Sequence, residues 1–171
     1  MIDVSAIVRR LAANAETIRA LVQAVSVEQA QWQPNPETWS LAKVMEHLYN
    51  EERIDFRQHL QEMLHDPPQA WGAFHEPYLP VSSCGQALDL FLTERQASLV
   101  WLEALEAPDW GIQLHTSFGP SDETISLSAG DVLVSWVDHD WAHLRQVLGL
   151  LHAWYEQEAA PYSTDYSGGS W

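Results

Sequence analysis

Apolar positions recur at helical spacing in four stretches of the chain, each long enough for several turns. Over about residues 3–25, Val4, Ile7, Leu11, Ile18, Leu21, Val22 and Val25 fall on one face of a helix. A second helix is predicted from Ser40 to Leu64. Ser40 follows the breaker-rich run WQPNPETW and reads as its N-cap, while Leu41, Val44, Met45, Leu48, Leu60 and Met63 form its buried side. A third covers Cys84 to Leu105, opening with Ser83 and Gln86 at capping-box spacing and carrying Leu88, Phe91, Leu92, Leu99, Leu102 and Leu105. In the fourth, Ala129 to Gln157, Ser128 and Asp131 repeat that start signal ahead of Val132, Trp136, Val147, Leu151 and Trp154. Four long amphipathic helices must cover one another's apolar faces. The expected fold is therefore all-α, a four-helix bundle with long interhelical loops.

The connections are unequal. Residues 26–39 form a loop containing Pro and Trp, and the segments 65–82 and 107–127 are long for a bundle, a length that points to function or disorder. Their aromatic residues Trp71, Phe74, Tyr78, Trp110 and Phe118 favour packing onto the body. Thr124 to Leu127 is expected to be at most briefly extended, with no sheet assigned. From Ala159 the chain is rich in small polar residues and breakers. This divides it into a bundle domain, residues 1–158, and a flexible or partner-docked tail, residues 159–171. No internal repeat marks a second domain.

Composition and charge narrow the function. A length of 171 residues with 46% apolar residues suits one domain with a real core. Twenty-four Asp and Glu against eight Lys and Arg give a formal charge of −16, which disfavours a nucleic-acid partner and an anionic membrane surface. No apolar run is long enough to span a bilayer. The N-terminal twenty residues mix charge with apolar positions and do not read as a signal peptide. Cys84, the sole cysteine, cannot form an internal disulfide, so a reducing cytoplasm is the expected location.

The eight histidines carry the candidate chemistry. His139 and His143, four apart in VDHDWAHLRQ, project from one helix face together with Val132, Trp136, Val147 and Trp154, the face the apolar pattern turns inward. His47, between Val44 and Leu48, is turned inward from the second helix. Three neutral imidazoles on facing helices can hold a divalent transition ion and leave positions for water or substrate. The competing reading is an ordinary bundle whose histidines are satisfied by hydrogen bonds. Glu51 is a fourth ligand, an acceptor orienting an imidazole N–H, or a solvated carboxylate; Gln146 lines the pocket or lies on the polar surface. Asp138 and Asp140 read as surface charges or partners for Arg145. His59 reads as a polar-face residue, His152 lies off the stripe, and His65, His75 and His115 fall in loops near the mouth of a site or away from it. Cys84 has no basic neighbour at motif spacing. No GxGxxG, phosphate loop, GxSxG, HExxH or CxxC occurs, so hydride transfer, nucleotide hydrolysis and serine-nucleophile hydrolysis have no support.

The order of Trp39-Ser40, His47-Leu48, Thr124 to Leu127 and His139 to His143, over about residues 3–157, resembles the DinB-like superfamily of metal-dependent four-helix proteins, which includes thiol-dependent S-transferases. The resemblance implies a divalent ion, nickel, zinc or iron, bound by His47, His139 and His143, often within a homodimer. It further implies a small-molecule substrate such as a low-molecular-weight thiol, without fixing the reaction. The sequence thus points to a metal-dependent enzyme that activates a thiol or water, acting as an S-transferase or hydrolase. Its rival is a non-catalytic metal- or small-ligand-binding dimer of a stress response.

Overall fold

A computed structural model describes residues 2–71, 76–117 and 124–168. Helix α1 (Val4–Val22) is followed by the short α2 (Val27–Gln31), a turn of helix in a connection read as loop from the sequence. Then come α3 (Leu41–Glu51), a π-helical turn (Glu52–Phe56) and α4 (Arg57–Met63), which together make the second long helix of the bundle. Helix α5 (Cys84–Ala104) is the third, and α6 (Ala129–Ala159), the longest, closes the bundle. Side-chain oxygens of Asp3, Ser40, Ser83 and Ser128 cap the four long helices, and the Ser128–Asp131 pair forms a reciprocal capping box. Helix α5 lies against both α1 and α3, and α6 packs on α1 and α4. None of the helices described is long and apolar enough to cross a membrane.

The segment before α6 corrects the sequence expectation. Strand β1 (Gln113–Ser117) pairs antiparallel with β2 (Thr124–Ser128), in a register that sets Leu114 against Leu127 and Thr116 against Ile125. In QLHTS only Thr116 is β-branched, so β1 has weak strand propensity of its own; pairing with β2 supplies its hydrogen bonds. The hairpin is tied to the bundle by Trp110, whose carbonyl accepts from Gly130 N at 2.9 Å. A Cβ at Gly130 would lie 3.2 Å from that oxygen and 2.7 Å from Ile2 Cδ1, so any larger residue would have to displace Ile2 and push the Trp110 carbonyl back. Trp71 and Trp110 pack onto the core as expected, whereas Tyr78 donates to Glu46 at the surface. Phe74, His75 and Phe118 lie outside the described residues.

The core has two apolar clusters. One gathers Ile18, Val22, Val44, Met45, Leu48, Leu88, Phe91 and Val147; the other gathers Val8, Leu11, Leu60, Met63, Leu102, Leu133 and Trp136. Where the two clusters meet, each long helix contributes one residue to a buried polar layer: Asn14, Glu52, Arg95 and Asp140. Arg95 donates through Nε and Nη2 to the two Glu52 oxygens at 2.8 and 2.7 Å, and through Nη1 and Nη2 to Asp140 at 2.7 and 2.8 Å. Its Nη1 also reaches the Leu11 carbonyl at 2.9 Å. Asn14 Nδ2 and Trp136 Nε1 complete the layer by donating to Asp140 and Glu52. Burial alone would lower the Arg95 pKa, but the two carboxylates more than offset it and the net shift is upward. Every long helix is thereby keyed to one level, because a shift of one turn would strand a charge in apolar surroundings.

Candidate metal centre

His47 on α3 and His139 and His143 on α6 meet where the two helices face each other. Nε2 of His139 lies 3.2 Å from Nε2 of His47 and 3.1 Å from Nε2 of His143. Among the described residues these three form the one group of histidine, cysteine and carboxylate side chains whose donor atoms all fall within 4.8 Å of one another. For metal–nitrogen bonds of about 2.0–2.1 Å, such separations correspond to angles of roughly 95–105° at a shared ion. That lies between octahedral and tetrahedral values.

Protonation agrees with ligation. Burial pushes His47 down to about 4, helped by the other two imidazoles, and burial followed by His143 pushes His139 down to about 4; His143 is lowered mainly by burial. All three are therefore neutral at pH 7. Gln146 Oε1 lies 2.8 Å from His143 Nδ1, so assigning the proton to Nδ1 leaves Nε2 with its lone pair aimed into the cluster. His47 Nδ1 faces Glu51 Oε1 at 3.5 Å, favouring the same tautomer. Lone pairs converging in a half-buried site repel unless a proton or a cation lies between them, and this donor set can hold a metal.

Aromatic walls enclose the group. Trp39 stands edge-on to His47 with centroids 5.1 Å apart and parallel to His143 at 6.5 Å, while Phe56 packs 5.0 Å from His139. The Trp-Ser pair that opens α3 thus divides its work: Ser40 caps the helix and Trp39 covers the imidazoles it presents. The His47 side chain keeps 19% of its surface exposed, so one side of the cluster reaches solvent.

A row of polar side chains leads away from His47 at four-residue intervals: Glu51, Asp55 and His59. In a regular α-helix such a row drifts by about 40° per step, and the wider π turn at Glu52–Phe56 counters the drift. Glu51 is hydrogen-bonded to Asp55, and burial with that neighbouring carboxylate pushes it up to about 8. A cation at the histidines would act in the opposite sense. Burial works to raise Asp55, but hydrogen bonds from His59 and Glu51 hold it below its usual value. His59 Nδ1 lies 2.5 Å from Asp55 and its ring stacks on Trp71 at 4.2 Å, a more enclosed setting than the polar surface expected of it.

Glu51 stands beside His47 Nδ1 and outside the donor cluster, and Gln146 lines the site by bonding His143. His152 faces Glu156 at 3.6 Å, away from the cluster; His65 Nδ1 lies 3.0 Å from the Pro67 carbonyl, and His115 is exposed on β1. Asp138 is exposed as read. Asp140 is a correction: it is fully buried and paired with Arg95, not Arg145. Cys84 is buried and its thiol pushed up to about 11, which suits packing and not nucleophilic work. The reading missed Glu52 and Arg95, although Leu88, Phe91, Arg95, Ser98 and Leu102 step by threes and fours and so put a charge in phase with an apolar stripe.

The sequence profile of the DinB superfamily matches residues 10–147, most of the chain. The chain belongs to the DinB superfamily. Among solved structures, this DinB-superfamily protein is similar to YfiT from Bacillus subtilis, described as a probable metal-dependent hydrolase with an unusual four-helix bundle topology. The TM-score is 0.65, covering 88% of this chain and 87% of YfiT at 14% identity, and the likeness is one of fold. No curated protein sequence matches the chain.

Proposed function

We propose that this DinB-superfamily chain is a metal-dependent enzyme in which His47, His139 and His143 ligate a divalent transition ion such as nickel, zinc or iron. A water molecule or a low-molecular-weight thiol is activated on the solvent side. The observation that carries the reading is the meeting of three Nε2 atoms, each on an imidazole kept neutral by burial, from two helices far apart in sequence. The ion, when bound, supplies a Lewis acid that lowers the pKa of water or thiol toward neutrality.

The protein's own groups do the positioning. Gln146 Oε1 is placed to accept a hydrogen bond from His143 Nδ1–H and Glu51 Oε1 faces His47 Nδ1, which orients both rings and favours the tautomer with Nε2 free to ligate. Trp39 and Phe56 keep water from the flanks of the rings and leave the partly exposed edge by His47 as the way in. The description of YfiT as a probable metal-dependent hydrolase supports water as the activated group; the S-transferases among DinB-like proteins support a thiol.

The test is turnover by protein loaded separately with nickel, zinc and iron, against esters, amides and phosphoesters and against thiols paired with electrophiles. The expected result is metal-dependent turnover in one of these classes, lost in a helical His139→Ala variant. Full metal loading with no turnover in any class would contradict the enzyme reading.

A further inference from the structure

The row of side chains that runs through His47 at four-residue intervals turns from basic to acidic across it. Lys43 stands one turn before His47, and Glu51 and Asp55 stand one and two turns after it. Lys43 is the sole lysine of a chain with a formal charge of −16, and its side chain is 47% exposed. Residues four apart on a helix are neighbours, and the charge of Lys43 reaches the site. Burial and the other two imidazoles push His47 down, and Lys43 adds a smaller push in the same direction.

Glu46 holds this lysine in place. Its Oε1 accepts from Lys43 Nζ at 2.6 Å and from Tyr78 OH at 3.1 Å, and its Oε2 accepts from Val81 N at 3.3 Å; Lys43 Nζ also stands 5.4 Å over the Tyr78 ring. Beside these groups lies a cavity of about 280 Å³, and Lys43 and Glu46 are the charged residues among those that line it. The carboxylate is spent on its three donors. The ammonium is not: Glu46 and Tyr78 engage at most two of its three N–H groups, which leaves a donor for an anion. At roughly 100° per residue, the cavity-lining Ala42 and Glu46 fall on one side of Lys43 around α3 and His47 falls on the other. The lysine thus stands between the cavity and the histidines.

We infer that Lys43 is a substrate-binding residue, and that the substrate of the three-histidine site is a small molecule with a carboxylate, which Lys43 holds in this cavity while the reacting group lies at the histidines. One monovalent cation with Glu46 beside it matches the single charge of a carboxylate better than the nearly double charge of a phosphate. The row also sets the orientation: the anionic end of the substrate lies toward Lys43 and away from Asp55. The assignment rests on the ion proposed above for His47, His139 and His143.

Cobalt-loaded protein tests it, because a thiolate on cobalt(II) gives an absorption band that reports binding without turnover. The probes are 3-mercaptopropionate and 6-mercaptohexanoate, each titrated against the mercapto alcohol of the same length. At the better chain length the carboxylate is expected to bind about fivefold tighter or more than its alcohol. Lys43→Met is expected to remove that preference while leaving the alcohols and the cobalt content unchanged, and Lys43→Arg, which keeps a cation, to retain part of it. Equal binding of acid and alcohol at both lengths in the wild type, a preference that survives Lys43→Met, or a Lys43→Met variant that weakens acid and alcohol alike overturns the role of Lys43 and leaves the metal site standing. A wild type that takes up no cobalt overturns the metal site, and the role of Lys43 with it.

Discussion

A histidine held neutral by burial leaves a mark on stability. His47 and His139 fall to about 4 in the folded chain, against about 6.5 when unfolded, and His143 is lowered as well. Between those values the unfolded chain binds protons that the folded chain refuses, so metal-free protein loses stability as the pH falls from about 6.5 to about 4 and the loss levels off below. Urea midpoints at pH 7 and pH 5 are expected to drop less in His139→Gln than in the wild type; an equal drop would contradict the burial of that imidazole. The three histidines were legible in sequence because each falls in phase with an apolar helix face. Asp140 was not, since it flanks His139 as Asp138 does and a sequence does not say which of two flanking carboxylates meets a buried arginine from another helix. The roles of Gln146 and Glu51 stay open in the sequence, because orienting an imidazole N–H depends on the rotamer that packing selects.

At the scale of the helices, the start signals at Ser40, Ser83 and Ser128 were legible because a Ser side chain caps its own helix through local hydrogen bonds, whereas the Asp3 cap of α1 was not read. The π turn and the strand β1 were not, since both depend on partners distant in the chain: Glu52 on Arg95 and Trp136, and Gln113–Ser117 on β2. The polar layer gives the helices a second prediction. Replacing Arg95 by Met leaves Glu52 and Asp140 buried without their cation, and a loss of about 3–5 kcal/mol is expected in denaturant unfolding. Adding Asp140→Asn and Glu52→Gln to that variant removes the stranded charges and is expected to recover part of the loss. A loss under about 1 kcal/mol for Arg95→Met would mean that the layer is hydrated and not a key between helices.

For the whole molecule, four amphipathic stretches sufficed to read a bundle, because four apolar faces have few ways to cover one another. How the helices are set in level was not in that pattern; it follows from one polar residue per long helix meeting between two apolar clusters. The same setting brings α3 opposite α6 so that His47 meets His139 and His143. A ligand that binds the folded chain and not the unfolded one raises its stability, so nickel or zinc added to metal-free protein is expected to raise Tm, with no rise in His47→Ala. The measurement that tests the central claim most directly is elemental analysis of untagged protein beside His47→Ala, His139→Ala and His143→Ala. About one transition-metal ion per chain in the wild type and almost none in the three variants is the predicted result. No metal in the wild type after reconstitution, or metal retained undiminished in all three variants, would contradict the site.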